Sequence, residues 1–462
     1  MKKSLIILFI FLIYSNLQAQ KKYEANWSSI DSRPVPTWFE DSKFGIFIHW
    51  GLFSIPGWGP NLKDSVGIYE RYAEWYWKGL TDQGRKSHPA FIKFHNKTYG
   101  ANFKYQDFAK DFKCELFDPK DWANIFKNSG AKYVVLTSKH HEGYTMWQSK
   151  ESWNWNAVDL NPHRDLAGDL MAAVKAKGMR MGYYYSLYEW FNPVYKNNVN
   201  QYVDEHMIPQ MKDLVTRYKP DVLWTDGEWD YPSETWKSTA FLSWLYNDSS
   251  VKNEVVVNDR WGKETRGKHG GIYTTEYDLV GEDNANGKDI NHPWEECRGI
   301  GSSFGVNRNE NLEDYSTSEQ LIHILIDKVA RGGNLLLNIG PNADGTIPVI
   351  MQQRLSDMGT WLKVNGEAIY DTRKWVKSPK VGADTKIFFT AKGKDLYVIT
   401  TKWQDSPITV EGVNAQNVKL LGFNGNVKVA MKNGRLMITP PAVSPATNPC
   451  QYAWVYKVEG AL

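Results

Sequence analysis

The sequence predicts an α/β protein, with a (β/α)8-like, TIM-type barrel domain followed by a C-terminal antiparallel β-sandwich. Its 462 residues exceed what one hydrophobic core usually supports, unless that core is a large barrel. From about residue 40 to 340, short apolar runs alternate with longer stretches of helical patterning, which is typical of a parallel barrel. After about residue 365, strand-like runs follow one another at roughly ten-residue spacing, which indicates an antiparallel sandwich.

The chain opens on a pattern typical of an export signal. Two lysines precede the apolar run at residues 5–13, and Ala19 offers a small side chain at a cleavage point. Because the run is too short to span a membrane, residues 1–20 are predicted to be a signal peptide. The mature protein is predicted to be periplasmic or secreted, with no membrane span. Three widely spaced cysteines predict neither a disulfide framework nor a metal motif: Cys114, Cys297 and Cys450.

The two domains are predicted to divide between residues 365 and 366, with the barrel over 21–365 and the sandwich over 366–462. Barrel strands are predicted at seven apolar runs: residues 44–50, 133–141, 181–186, 221–226, 254–260, 272–276 and 334–340. Helices are predicted between them at residues 119–129, 167–177, 201–218 and 318–330. Sandwich strands are predicted at residues 386–390, 396–401, 418–421, 427–431, 436–438 and 452–456. The loop-like stretch 378–384 is too short to be a free linker, so the domains are predicted to pack together.

Charge and composition narrow the classes of function. Fifty-five basic and fifty-two acidic residues give a net charge of +3, which offers no electrostatic reason to expect a nucleic-acid partner. Aromatic residues make up 14% of the chain, and aromatic faces stack on the C–H groups of sugars while their polar edges bind hydroxyls. A large aromatic core would produce the same composition. Composition therefore favours neither interpretation, a sugar-binding site or a large aromatic core, over the other.

Charged side chains end several of the predicted strands. Asp226 follows the apolar run DVLW, Glu276 ends IYTTE, and Arg260 ends EVVVNDR. Active sites of (β/α) barrels lie at the carboxyl ends of the strands, although a surface Asp or a structural ion pair fits the same pattern. Glycoside hydrolysis needs two carboxyl groups, one ionised and one with a raised pKa. Three other carboxyl groups compete with Glu276 for the second role: Glu282, Glu295 and Glu296.

Histidines and aromatic residues lie at the same predicted rim. His49 ends FGIFIHW, while His140 and His141 end YVVLTSKHH. Because consecutive strand residues point to opposite faces, this pair is poorly placed to share a metal ion. The sequence therefore predicts no metal and no cofactor, and neutral imidazoles that bind sugar hydroxyls. Glu74 and Trp75, within RYAEWYW, add a hydroxyl acceptor and a stacking wall, although an amphipathic helix fits that spacing too. Polar aromatics at the rim are the tyrosines at 183–185 and Trp224.

Taken together, these segments resemble the α-L-fucosidases of glycoside hydrolase family 29. The matching segments run in family order from about residue 37 to 370: FGIFIHWGLFSIPGW, YAEWYW, YVVLTSKHHEGYTMWQS, GYYYSLYEW, DVLWTDGEW, VVNDRWG, TTEY, WEECRGIGSSFGVNRNE and GGNLLLNIGPNADGTIP. The C-terminal segment is similar only in being β-rich. The SLYEWF stretch is more similar to the broad-specificity branch than to the branch restricted to branched, blood-group-type fucosides.

The resemblance implies a barrel with a β-sandwich behind it and a retaining mechanism without a metal. Asp226, in LWTDG, falls on the nucleophile of the family. Glu276, in TTEY, is the expected acid/base, although the glycine-rich piece RGKHGG lies before it in a region that varies within the family. Because fucose carries a methyl group where other hexoses carry a hydroxymethyl group, an apolar wall at that point is physically sensible. Positions of the fucose pocket are matched by His49, Glu74, His140, His141, Tyr184, Trp224 and Arg260, with Trp75 and Phe304 beside the methyl group.

The resemblance thus implies an exo-acting α-L-fucosidase that acts on fucosylated oligosaccharides or glycoconjugates. A fucose-binding lectin on a decayed glycosidase scaffold is an alternative from another class. The intact carboxyl groups and histidines argue against it. A related α-L-galactosidase is a further alternative, since its substrate differs from a fucoside only by a hydroxyl on C6. The sequence leaves the preferred linkage and the oligomeric state open.

Overall fold

The computed structural model describes residues 21–62, 65–278, 292–375, 387–415 and 417–461. Four predictions fall outside these residues: the signal peptide 1–20, the alternative acid Glu282, the loop-like stretch 378–384 and the first residue of the strand at 386–390. None of the helices in the described ranges combines the length and the apolarity that a bilayer crossing requires.

In the described part of the chain, eight parallel strands form one sheet in the order β5-β4-β3-β2-β1-β8-β7-β6. The strands are β1 (Phe44–Ile48), β2 (Tyr133–Lys139), β3 (Arg180–Ser186), β4 (Val222–Asp226), β5 (Val256–Val257), β6 (Tyr273–Glu276), β7 (Trp294–Gly299) and β8 (Asn334–Ile339). A parallel bridge between Asn258 and Ile272 joins the segments beside β5 and β6, so the sheet curls round into a barrel. Buried side chains run unbroken along β1, β2 and β8, as expected for a sheet covered on both faces. The predicted barrel is confirmed.

Helices connect the barrel strands and pack on their outer face. The longer ones among the described residues are His88–Thr98, Pro119–Asn128, Leu166–Ala176, Ile208–Tyr218, Ser238–Asn247, Ser318–Ala330 and Val349–Asn365. Shorter α-helices are Trp27–Ile30, Thr37–Ser42, Tyr76–Thr81, Pro193–Asn197 and Val199–Tyr202. Single 3₁₀ turns or short 3₁₀ helices are Leu52–Ser54, Ile68–Glu70, Ala73–Trp75, Tyr105–Lys110, Leu312–Asp314 and Gly366–Ala368.

The helix predicted over residues 201–218 is interrupted. The chain forms an α-helix at Val199–Tyr202, a π-helical turn at Val203–Met207 and a further α-helix at Ile208–Tyr218. Pro209 has no backbone N–H, so the regular hydrogen-bond ladder cannot continue through this junction. The other three predicted helices are present, with ends that differ from the prediction by at most one residue.

Strand β7 is absent from the sequence prediction, because its WEECRG run carries charged residues where a buried strand is expected to be apolar. Glu295 and Glu296 are nevertheless buried. Tyr133 and Trp224 donate hydrogen bonds to Glu295, and Thr275 donates one to Glu296. Since these donors stand on three other strands, only the folded barrel brings them to the two carboxyl groups.

The described C-terminal residues form two antiparallel sheets, with the strand orders β13-β16-β11-β10-β9 and β12-β15-β14. The strands are β9 (Arg373–Lys374), β10 (Ile387–Lys392), β11 (Asp395–Thr400), β12 (Ile408–Glu411), β13 (Val418–Leu420), β14 (Lys428–Lys432), β15 (Arg435–Thr439) and β16 (Trp454–Val458). Val398 from one sheet shares an apolar core with Val410 and Leu436 from the other, which confirms the predicted sandwich. The prediction misses β9 and β12, although Ile408 and Val410 alternate with exposed residues as in a half-buried strand.

The sandwich packs directly on the barrel helices. Trp361, in helix Val349–Asn365, donates a hydrogen bond of 2.8 Å from Nε1 to the backbone carbonyl of Ala453. Ile399 and Val455 of the sandwich belong to the same apolar cluster as the barrel core. Because this contact lies on the outer helices, the carboxyl ends of the barrel strands stay free to form a site.

Candidate active site

A cavity of about 530 Å³ opens at the carboxyl ends of the barrel strands. Asp226 is the last residue of β4 and Glu276 the last of β6, while His49 and His140 directly follow β1 and β2. Strand ends of a parallel barrel converge on one face, which brings these residues together. Every residue that the sequence predicts for the site lines this cavity: His49, Glu74, Trp75, His140, His141, Tyr184, Trp224, Asp226, Arg260, Glu276 and Phe304.

Asp226 is held by donors on both of its oxygens. Tyr184 donates its hydroxyl to Oδ2 at 2.9 Å, and Arg260 Nη1 donates to Oδ1 at 2.7 Å. Gly227 follows with a φ of 75°, a left-handed conformation that lets the chain turn away and leaves the carboxylate facing the cavity. Burial by itself would raise the pKa of Asp226, but the surrounding charges and donors, with Arg260 the largest contributor, together outweigh burial and hold that pKa well below its ordinary value. Asp226 is therefore an ionised carboxylate at neutral pH.

Arg260 joins the two carboxyl groups of the cavity. Its Nη1 binds Asp226, and its Nη2 lies 3.3 Å from Glu276 Oε2. The guanidinium lies over the Trp224 ring, with 4.4 Å between its carbon and the ring centroid. Tyr72 donates its hydroxyl to the other oxygen of Glu276 at 3.2 Å. One cation thus positions two carboxyl groups toward the same space, which is the arrangement that a pair of catalytic carboxyl groups requires.

The competing carboxyl groups that the structure describes do not line the cavity. Glu295 lies behind Trp224, whose Nε1 donates to it at 3.2 Å, and Tyr133 donates to its second oxygen. Burial raises the pKa of Glu295 to about 7, a value that would suit a general acid. Glu296 accepts a hydrogen bond from Thr275 and is fully buried. Without access to the cavity, neither carboxyl group reaches a substrate bound there.

The buried side chains of His49 and His141 are neutral. His49 Nδ1 lies 2.7 Å from Asn338 Oδ1, and His141 Nδ1 lies 2.7 Å from Ser186 Oγ. Ser186 donates its own proton to the Tyr188 carbonyl, so its oxygen accepts from His141. Burial, together with the nearby His140, lowers the pKa of His49 to about 3 and that of His141 well below its ordinary value. In both rings Nδ1 is the donor, which leaves Nε2 as an acceptor for a hydroxyl group.

Glu74 and the aromatic residues complete the inner cavity. Glu74 and Trp75 lie on the 3₁₀ turn Ala73–Trp75, and not on the amphipathic helix that was the alternative. Ser303 Oγ and the Gly305 backbone N–H each donate to Glu74 Oε2 at 2.9 Å. The Phe304 and His49 rings lie 4.8 Å apart between centroids, and the Trp75 and His141 rings lie 5.3 Å apart. This end of the cavity therefore combines fixed polar groups with apolar ring faces, as sugar binding requires.

Several cavity residues are absent from the sequence prediction: Phe47, Tyr69, Tyr72, Glu228, Trp229, Lys263, Arg266 and Cys297. Glu228 and Trp229 directly follow the turn after Asp226, a position that by itself signals proximity to the site. Arg266 belongs to the glycine-rich stretch RGKHGG, and only the fold shows that its Nε binds Glu228 Oε1 at 2.6 Å. Its Nη2 lies 3.7 Å from Asp226 Oδ1, so it adds a second positive charge near that carboxylate. Across the described residues, no group of three or more His, Cys, Asp or Glu side chains is arranged to hold a metal ion.

The barrel and its paired carboxyl groups define a glycoside hydrolase. The family model described as alpha-L-fucosidase matches residues 10–367, and the model of the alpha-L-fucosidase C-terminal domain matches residues 382–459. The chain therefore belongs to the α-L-fucosidase family and is an enzyme of the glycoside hydrolase class.

Similar proteins span the chain from end to end. The tissue alpha-L-fucosidase of Homo sapiens is 41% identical, over 99% of this chain and 96% of its own length. The alpha-L-fucosidase of Dictyostelium discoideum is 43% identical, over 98% of this chain and 99% of its own. A crystal structure of the Thermotoga maritima alpha-fucosidase in complex with fucose superposes with a TM-score of 0.79 at 36% identity, covering 95% of this chain and all of the other.

Proposed function

We propose that the enzyme is an exo-acting, retaining α-L-fucosidase that removes terminal α-L-fucose from fucosylated oligosaccharides or glycoconjugates by double displacement. The observation that carries this proposal is the placement of Asp226 and Glu276 on the two terminal nitrogens of Arg260, facing one cavity. The three similar proteins named above are all fucosidases, which supports fucose as the sugar that the enzyme removes.

In the first step, Asp226 attacks the anomeric carbon while the bond from that carbon to the leaving oxygen breaks. Glu276 gives its proton to the leaving oxygen. The depressed pKa of Asp226 keeps the nucleophile ionised. As Asp226 loses its charge to the new ester bond, Glu276 becomes a carboxylate, so Arg260 keeps one anionic partner throughout. This exchange avoids leaving an unpaired buried cation at any stage.

In the second step, a water molecule gives a proton to Glu276 and its oxygen attacks the anomeric carbon. The ester bond to Asp226 breaks, and Asp226 returns to Arg260 and Tyr184 as a carboxylate. Two inversions at the same carbon give net retention. Glu74 and the three histidines His49, His140 and His141 bind the sugar hydroxyls in this proposal, while Trp75 and Phe304 lie beside the methyl group.

The proposal also covers the export of the chain and its division into two domains. Residues 1–20 direct the chain out of the cytoplasm to the periplasm or the medium, where fucosylated glycans are met. Residues 21–365 form the catalytic domain and residues 366–462 the sandwich. Mass spectrometry of the exported chain, with its first residue near position 21, tests the leader.

The experiment for the central proposal is to incubate the enzyme with an aryl α-L-fucoside and follow the released sugar by proton NMR. We expect the α-anomer of fucose to form first, before mutarotation. First formation of the β-anomer would contradict retention, and binding without release of the aryl group would indicate a lectin.

The matched aryl α-L-galactoside tests the apolar wall, because its added hydroxyl loses hydrogen bonds against Phe304 and Trp75.

A further inference from the structure

The cavity is larger than one fucose residue. Fucose has on the order of ten non-hydrogen atoms, and even at about 30 Å³ each, the volume of a whole water molecule in the liquid, it fills about 300 Å³. The cavity volume is about 530 Å³. Room for further groups of a substrate therefore exists beside the fucose pocket.

The position of Glu276 indicates where the leaving group of the substrate lies. Asp226 Oδ2 faces Tyr184, whereas Oδ1 faces Arg260 and Arg266. Through Arg260, which also contacts Glu276, Oδ1 lies on the same side as Glu276. A leaving group must lie next to the group that protonates its oxygen. Whatever the enzyme cleaves from fucose therefore lies beside Glu276, on the side of Asp226 that Arg266 also faces.

Two partly exposed aromatic rings line the cavity, one beside Tyr72 and one beside Trp75. Tyr69 is 42% exposed and lies next to Tyr72, the partner of Glu276, with 5.6 Å between ring centroids. Trp229 is 37% exposed and continues the aromatic wall outward from Trp75, with 5.8 Å between centroids. Exposed rings at a cavity mouth are suited to stack on the faces of a second sugar.

Glu228 carries a buried acceptor without a partner. It lines the cavity and is only 1% exposed, and its Oε1 binds Arg266 Nε at 2.6 Å. Its Oε2 has no hydrogen-bond partner among the residues that the structure describes. A buried carboxyl oxygen without a donor costs free energy, and a hydroxyl group of a ligand satisfies it.

We propose that Glu228 Oε2 accepts a hydrogen bond from a hydroxyl of the departing sugar, and that Glu228, Arg266, Tyr69 and Trp229 form a leaving-group subsite for a saccharide. This inference rests on the proposed function, because it names the class of leaving group at that same site. The subsite selects fucosides whose aglycone is a sugar over those whose aglycone is a simple alcohol or phenol.

The test compares Glu228→Gln with the wild-type enzyme on a fucosylated disaccharide and on an aryl α-L-fucoside. The amide oxygen keeps the bond to Arg266, while the amide nitrogen takes the place of Oε2 and cannot accept. We expect the ratio of kcat/KM on the disaccharide to kcat/KM on the aryl fucoside to fall about tenfold. Glu264→Gln is the matched control, since this exposed carboxyl lies two residues from Arg266 in sequence but outside the cavity, and it is expected to leave the ratio unchanged.

A second variant covers the case in which Glu228→Gln fails to fold. Trp229→Ala is expected to lower the same ratio through a higher KM for the disaccharide. Its control is Trp153→Ala, because Trp153 is 79% exposed and lies outside the cavity, and this variant is expected to leave the ratio unchanged. Equal losses on both substrates would overturn the subsite, because they would show that Glu228 acts only through Arg266 on Asp226. An unchanged ratio in both cavity variants would overturn it as well. A wild-type enzyme that cleaves neither substrate would instead refute the proposed function, and the subsite with it.

Discussion

Asp226 and Glu295 are two buried carboxyl groups of one barrel, and their pKa values move in opposite directions. Trp224 connects their surroundings, because Arg260 lies over its ring and its Nε1 donates to Glu295. Burial raises the pKa of both groups. For Glu295 the hydrogen bonds do not offset burial and the pKa is about 7, whereas for Asp226 the surrounding charges and donors, with Arg260 the largest contributor, reverse the effect.

Burial by itself therefore decides neither the protonation state nor the role of a carboxyl group. A neutral donor beside a buried carboxyl stabilises the charge less than a cation does, so at neutral pH Asp226 is ionised whereas Glu295 is ionised only in part. Glu295 has the raised pKa of a general acid but no access to the cavity. Contacts with charged groups therefore set the protonation state of a buried carboxyl group. Its position at the end of a strand decides whether it can reach a substrate in the cavity.

The largest expected effect is that of Asp226→Ala. Loss of the nucleophile is expected to lower kcat by at least about 10³-fold on every fucoside. Sodium azide is then expected to restore part of the turnover of an aryl fucoside and to yield a fucosyl azide of inverted configuration. Retention of full activity by this variant would rule out Asp226 as the nucleophile.

Glu276→Ala is expected to have a large effect that depends on the leaving group. A poor leaving group needs the proton that Glu276 supplies, so kcat/KM on a fucosylated disaccharide is expected to fall about 10²- to 10³-fold. An aryl fucoside with an activated phenol is expected to lose far less. Equal losses on the two substrates would point to a different acid/base.

Arg260→Met tests what holds Asp226 ionised. In the wild type the pKa of Asp226 lies below its ordinary value of 3.8, so Asp226 stays ionised as the pH falls toward that value. Without the guanidinium, burial is opposed more weakly, by the Tyr184 hydrogen bond and by Arg266 at 3.7 Å, so the pKa of Asp226 rises. The acidic limb of kcat/KM is therefore expected to move to higher pH, with a loss of about 10²-fold at neutral pH. Arg260→Lys keeps a positive charge and is expected to move the acidic limb less, and an identical shift in both variants would argue against this electrostatic role.

The smallest effect on activity is expected from Glu295→Gln, where the change is in stability. The folded-state pKa of about 7 lies above the ordinary 4.5, so Glu295 favours folding at pH values below 4.5 and loses that contribution as the pH rises to about 7. The loss amounts to about 3 kcal/mol. Urea unfolding at pH 5 and pH 8 is expected to show a smaller decline for the variant than for the wild type. The same decline in both would show that Glu295 does not titrate in this range.

Much of the fold is predictable because the barrel strands are apolar and end in polar residues. Each predicted barrel strand is present, with the largest difference at residues 254–260, where β5 covers only Val256–Val257. Strand β7 escapes prediction because Glu295 and Glu296 break its apolar pattern. Their hydrogen-bond donors come from distant parts of the chain, and no local pattern reports such donors.

The barrel, the sandwich and the carboxyl groups and histidines at the strand ends follow from the sequence alone. Periodicity and residue type carry that information, because a parallel barrel brings its strand ends to one face. The folded structure is needed to show that Glu276, and neither Glu295 nor Glu296, shares the cavity with Asp226. It also shows that Arg266 reaches Glu228 and Asp226 from a loop, since cation contacts and access depend on distances between segments far apart in sequence.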